Sequence, residues 1–207
     1  MIRVVDVSNS PSFGDPAVMK FCEASTRNLL AQEAAVGVRH YVALSVVGTE
    51  RLSESGYFQA KIAEEKLIKG SSILYSIGHT TQFFEFLKQL ADISFDGKKV
   101  RLPDALFQPM AADDVATALG RIAVGRPINS TVEIGGPEAY RIDELVRRRL
   151  VPLNDSREVI ADPNTKYSGA KLDERTLVPG KDARLGETSF ETWLTQSAGK
   201  ATAAGTR

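Results

Sequence analysis

Tyr57 and Lys61 stand four residues apart in the segment SGYFQAK (55–61), and Ser45 ends a short apolar run twelve residues before the tyrosine. On a helix, side chains at i and i+4 project from one face, one turn apart. An ammonium beside a phenol favours the tyrosinate and draws its pKa down from about 10 towards neutrality. A phenol so tuned can give or take a proton near physiological pH. A hydroxyl at the end of the neighbouring strand, here Ser45, could hold the oxygen of the reacting group. The same spacing recurs at Tyr167 and Lys171, but in a stretch broken by glycine and proline with no strand ahead of it. That second pair is set aside.

The pair needs a strand, a loop and a helix in that order, and the surrounding pattern supplies them. IRVVDV (2–7) reads as a buried strand, followed by the turn-rich SNSPSFGDP. Residues 16–35 carry helical periodicity, with Val18, Phe21, Cys22, Leu29 and Leu30 able to share a face, and Gly37 closes the helix. HYVALSVV (40–47) is a second strand, and residues 57–69 form a helix stopped at Gly70. Ile73–Ile77 reads as a third strand and Thr81–Ala91 as another helix. Such alternation predicts parallel pairing through right-handed crossovers. Short strands follow near Val100–Leu102 and Phe107–Met110, then a helix capped by Asp113, a strand at Thr131–Ile134 and a helix over DELVRRRL that Pro152 cuts short.

From these elements the fold class is α/β, a parallel sheet with flanking helices. Residues 1–150 read as the domain that holds the sheet and 151–196 as a small irregular C-terminal region. Within that region SFETWL forms a short helix that docks Phe190 and Trp193, and residues 197–207 read as a disordered tail.

Bulk properties exclude several classes of function. Basic and acidic residues number 26 each, so no global field draws nucleic acid or an anionic membrane. The run Arg147–Arg149 at a helix end reads as a solvated face. A single cysteine, Cys22, rules out an internal disulfide and fits a reducing cytoplasm; it reads as a core thiol. His40 and His79 are the only histidines, too few for a structural zinc site. No apolar run reaches the roughly 18 residues of a membrane span, and no signal peptide is visible.

The segment VALSVVGTERLSESGYFQAKIAEEKLIK resembles the centre of the short-chain dehydrogenase/reductase superfamily, and within it the atypical, NmrA-like NAD(P)-binding branch. TTQFFEFL, LFQPMAADDVATAL and VEIGGPEAYRIDELVRR are similar to that branch as well, in the same order. The resemblance implies that the sheet is Rossmann-like and N-terminally truncated, that residues 1–150 are a partial NAD(P)-binding domain, and that the chain takes NAD or NADP as cofactor and a small-molecule substrate. Tyr57 would be the proton donor, Lys61 the anchor of the nicotinamide ribose and Ser45 the orienting hydroxyl. Ser8, Asn9 and Ser10 would pass beside the cofactor, and Thr81, Gln82 and Phe83 would lie near the nicotinamide.

Members of that family open with a strand, a G-x-x-G-x-x-G turn and a helix that holds the pyrophosphate. None of the sixteen glycines has G-x-G spacing, and by the resemblance the chain starts within the fourth strand. The strand at residues 2–7 would then present a bare apolar edge that invites pairing with a second copy. Gly78 and His79 stand where the family carries a bulky aliphatic and an arginine, which predicts looser packing and a passive imidazole. Three readings remain open: a carbonyl or quinone reductase, a cofactor sensor without turnover, and a remnant that binds no dinucleotide.

Overall fold

The structure, a computed structural model, describes residues 2–12 and 16–204. Parallel strands β1 (Arg3–Asp6), β2 (His40–Val46), β3 (Tyr75–Thr80), β6 (Thr131–Gly135) and β9 (Arg184–Leu185) form one sheet in the order β1-β2-β3-β6-β9. Helices α1 (Ala17–Ala35) and α2 (Gly56–Lys69) cover one face and α4 (Ala112–Val124) the other. Alternation in β2 explains this arrangement: Tyr41 and Ala43 pack with Ile68 of α2, while Val42 packs with Val115, Leu119 and Ile122 of α4.

A second layer sits beyond the carboxyl ends of the strands. It joins α3 (Leu87–Ile93), β4 (Val100–Leu102), β5 (Leu106–Phe107), β7 (Tyr140–Arg141), α5 (Ile142–Leu150), β8 (Val159–Ala161) and α6 (Phe190–Ala204). Strand β8 pairs with β4 and β9 with β6, so the last quarter of the chain is woven into the rest. Phe190 and Trp193 are buried against Phe84, as their helix was expected to place them. That helix is longer than expected and runs through Ser197 to Ala204, where a tail was read; residues 205–207 lie outside the described residues.

Three local expectations are corrected. Thr81–Phe83 is extended rather than helical, because its backbone is pinned: Thr81 N–H donates to Ile134 O and Met110 N–H to Gln82 O, each at 2.9 Å. Asp113 is not the N-cap of α4. The cap residue is Ala111, and Glu85 reaches across to accept from Ala112 N–H at 3.2 Å. Gly78 leaves no looseness in the sheet, since a Cβ there would meet Leu119 Cδ2 at 2.8 Å. Its missing side chain is the space that Leu119 fills.

The outer edge of β1 is unpaired among the described residues, and Ile2, Val5 and Val7 beside it are exposed. Behind this strand Glu33 of α1 is 5% exposed, and neither carboxylate oxygen has a partner. Burial and the charge of Asp6 push its carboxyl up to about 7 from an ordinary 4.5. The folded state therefore keeps a proton that the unfolded chain releases near 4.5. Stability from this site is complete below that pH and declines as pH rises towards 7. Glu33→Gln should raise the melting temperature at pH 8 and change it little at pH 4. Equal differences from wild type at both pH values would contradict the assignment.

Candidate functional site

Strand ends β1, β2 and β3, the first turn of α2 and a hairpin from the C-terminal region enclose a cavity of about 780 Å³. Every site residue read from the sequence lines it except Ser10. Ser10 instead turns away, its hydroxyl donating to Ser12 O at 2.6 Å. The walls are mainly apolar: Leu44, Val46, Phe58, Phe83 and Phe86 form most of them.

Tyr57 occupies the first turn of α2, its ring edge-on to Phe58 at 5.3 Å. Burial pushes its phenol above the ordinary range; the charge of Lys61 and a hydrogen bond with the Asn9 side chain pull it back only in part. The expected move towards neutrality is thus reversed. Burial is the leading reason. One turn further along α2, Glu64 Oε2 accepts from Lys61 Nζ at 2.7 Å, and this buried acid adds a smaller push in the same direction.

Lys61 Nζ also donates to Leu44 O at 3.1 Å. An ammonium has three protons, and two are engaged; one remains for a ligand hydroxyl. Burial opposes its charge, but Glu64 outweighs that effect and holds the ammonium above its ordinary range. Cys22 lies in the same interior, where burial foremost, then Glu64, raises its thiol to about 11 and keeps it an inert core group.

Ser45 is drawn into a different network. Its hydroxyl donates to Glu65 Oε1 at 2.7 Å, and His79 Nε2 lies 2.7 Å from the same oxygen. Lys69 Nζ binds the other oxygen at 2.9 Å. Burial raises the Glu65 carboxyl, but these bonds, that of His79 first, outweigh it and hold the group at about 2. The Ser45 proton is therefore committed to Glu65. His79 is buried, as expected, and its imidazole is held by Glu65. Glu50 approaches Glu65 and His79 closely enough to suggest a metal cluster, but Ser45, His79 and Lys69 already engage both Glu65 oxygens.

The C-terminal wall supplies a residue that sequence reasoning passed over. Tyr167 lines the cavity and is 8% exposed. Tyr167 N–H donates to Ala170 O at 2.8 Å and Ala170 N–H to Tyr167 O at 3.0 Å. Ser168 and Gly169 between them have φ of 48° and 88°. Two consecutive positive φ values are those of a type I′ turn, which suits a two-residue hairpin. Lys171 is exposed, so the discarded pair does not form, yet its tyrosine belongs to the site. The dipeptide Ser168-Gly169 was the available signal.

No protein-family model and no curated protein matches the chain. Solved structures do. An epimerase of Methanothermobacter thermautotrophicus superposes with a TM-score of 0.71 at 11% identity, covering 97% of this chain and 71% of its own. A UDP-glucose 4-epimerase of Thermotoga maritima, solved with UDP-glucose, gives 0.69 at 15%, covering 98% and 77%. The Bordetella bronchiseptica enzyme WbmG, solved with NAD and UDP, gives 0.67 at 12%, covering 98% and 73%. What these likenesses establish is the fold: a Rossmann-like parallel sheet with flanking helices.

Proposed function

We propose that this chain carries the catalytic end of an NAD(P)H-dependent oxidoreductase of carbonyl or quinone reductase type, in the NmrA-like branch. The observation that carries this reading is the meeting of Tyr57, Lys61, Asn9, Thr81 and Gln82 on one largely apolar cavity. Enzymes of the same fold solved with NAD support it.

The fit of a dinucleotide is good at one end. Thr81 Oγ1 is buried without a partner, a polar group that a bound cofactor would satisfy. The free proton of Lys61 suits a ribose hydroxyl, with Ser8 and Asn9 at the mouth of β1 and Phe83 as an apolar wall. The pyrophosphate end is not matched within this chain: no G-x-G loop exists, and Lys61 is the sole cation on the cavity wall among the described residues. When bound, the nicotinamide supplies hydride. Tyr57, kept protonated by its burial, supplies the proton to the reduced oxygen, and Lys61 holds the ring side of the cofactor in register.

The test is a calorimetric titration with NADPH and then NADH. Binding tighter than about 0.1 mM, some 5.5 kcal/mol, supports the proposal. A folded sample that gives no heat with either overturns it. A second reading, a cofactor sensor without turnover, is favoured by one observation: the Ser45 proton is occupied by Glu65. Cofactor binding without reduction of any carbonyl would select it.

The pairing of Lys61 with Glu64 gives a pH prediction. A proton donor works below its pKa and is lost as pH rises through it. Glu64→Gln leaves the ammonium uncompensated and lowers the phenol. The basic limb of the kcat/KM profile should then move down by about one unit. A limb that stays in place would show that Glu64 does not tune Tyr57.

A further inference from the structure

The polar groups of the cavity fall into two sets. Lys61, Asn9 and Tyr57 are already bonded to protein. Ser55 Oγ, Thr81 Oγ1 and the Gln82 amide are not, although Ser55 and Thr81 are each 1% exposed and Gln82 9%. A buried amide with neither atom satisfied is costly and uncommon in a folded protein. Neither its position nor its isolation is accidental to the fold, because the Gln82 backbone is fixed to Met110 and its neighbours to β6. The Tyr167 hydroxyl lies beside the Gln82 amide, without hydrogen-bond geometry, and within the electrostatic reach of Tyr57. Tyr57, Gln82 and Tyr167 thus line one cavity, with Gln82 beside Tyr167.

Charge is as informative as polarity. Only Lys61 and Glu54 are ionisable in the ordinary charged sense on this wall; Lys61 is neutralised by Glu64, and Glu54 is exposed and negative. An anion entering this space meets no free cation and would have to shed its water uncompensated. The UDP-glucose bound by a neighbour of the same fold carries such a charge.

We infer that the space between Tyr57 and Tyr167 selects an uncharged, ring-bearing carbonyl compound whose second polar group pairs with the Gln82 amide, and that it excludes phosphate- and sulfonate-bearing analogues. This rests on the proposed reductase reading and moves Gln82 from the cofactor to the substrate. Tyr167, held by its two-residue turn, is a specificity-determining wall against which the ring packs.

The test compares two probes that differ by one charge, 9,10-phenanthrenequinone and its 2-sulfonate, titrated calorimetrically into the chain with and without NADPH. The parent should bind at least tenfold more tightly than the sulfonate. Gln82→Leu should weaken the parent at least fivefold, and Tyr167→Ala should weaken it while Tyr167→Phe does not. Failure of the parent to bind, equal affinity for the sulfonate, or unchanged affinity in both Gln82→Leu and Tyr167→Ala overturns the inference. The wild-type comparison stands even where a variant does not fold. Selective binding of the parent without its reduction by NADPH would sustain the neutral site while removing the reductase reading, so the two fail separately.

Discussion

On the proposed function, Tyr57→Phe should cut turnover steeply while leaving the fold and cofactor binding intact. The phenyl ring keeps its edge-on contact with Phe58, so packing is preserved, and the variant loses only the hydroxyl and its bond to Asn9. One neutral hydrogen bond of this kind is worth about 1 kcal/mol of stability. Removing the proton donor costs far more in rate, about 10²- to 10⁴-fold. Oxidation of NADPH with a neutral quinone should fall by that factor, with the calorimetric affinity for NADPH changed less than about threefold. Undiminished turnover would sink the assignment of Tyr57 as the acid. Loss of affinity and rate together would mean instead that the phenol positions the cofactor.

The largest stability effect falls outside the Tyr57–Lys61 pair, at Gly136. A Cβ built there would lie 1.9 Å from Pro109 O and 2.8 Å from Pro109 C. Neither is the end of a flexible side chain, so relief requires the backbone itself to move. That movement breaks two bonds, Gly136 N–H to Gln108 O at 3.0 Å and Gln108 Nε2 to Gly136 O at 2.7 Å. Overpacking of this severity costs about 3 kcal/mol, and each bond adds about 1. For a chain of this size Gly136→Ala should lower the melting temperature by roughly 10 to 15 °C. The consequence reaches the site, because Met110, one residue beyond the displaced Pro109, anchors Gln82. A melting temperature within about 2 °C of wild type would show that the 109–136 contact is looser than described.

Much of this architecture was legible because it rests on period. The apolar run in HYVALSV and the helical periodicity and glycine stops of α1 and α2 placed β2 and both helices nearly to the residue. The shared face of Tyr57 and Lys61 followed from helical spacing alone. Where the reading failed, a residue distant in sequence had decided the outcome. FFEFL invites a helix from Thr81 onward, but hydrogen bonds to Ile134 and Met110 hold that stretch extended. Asp113 has the right chemistry for a cap, yet Glu85 from another turn takes the position. The same holds within the site. Lys61 looks like a free cation in the sequence; only the fold brings Glu64 onto it and buries the phenol, and the burial foremost turns the phenol's pKa upward. Tyr167 was missed because a lysine partner was demanded of it, when a tight turn was what placed it.

The weave of the C-terminal quarter sets an order of events during synthesis. Strand β4 waits for β8, β6 waits for β9, and the cavity lacks a wall until the Tyr167 hairpin closes on it. Pairings between residues so far apart in the chain form slowly. While a ribosome is still delivering β8 and β9, the N-terminal strands already exist as a partial sheet with two open flanks, β1 on one side and β6 on the other. Half-built parallel sheets of this kind are good substrates for holding chaperones and poor ones for unaided refolding at high concentration. The flank at β6 therefore stays uncovered until β9 has been delivered.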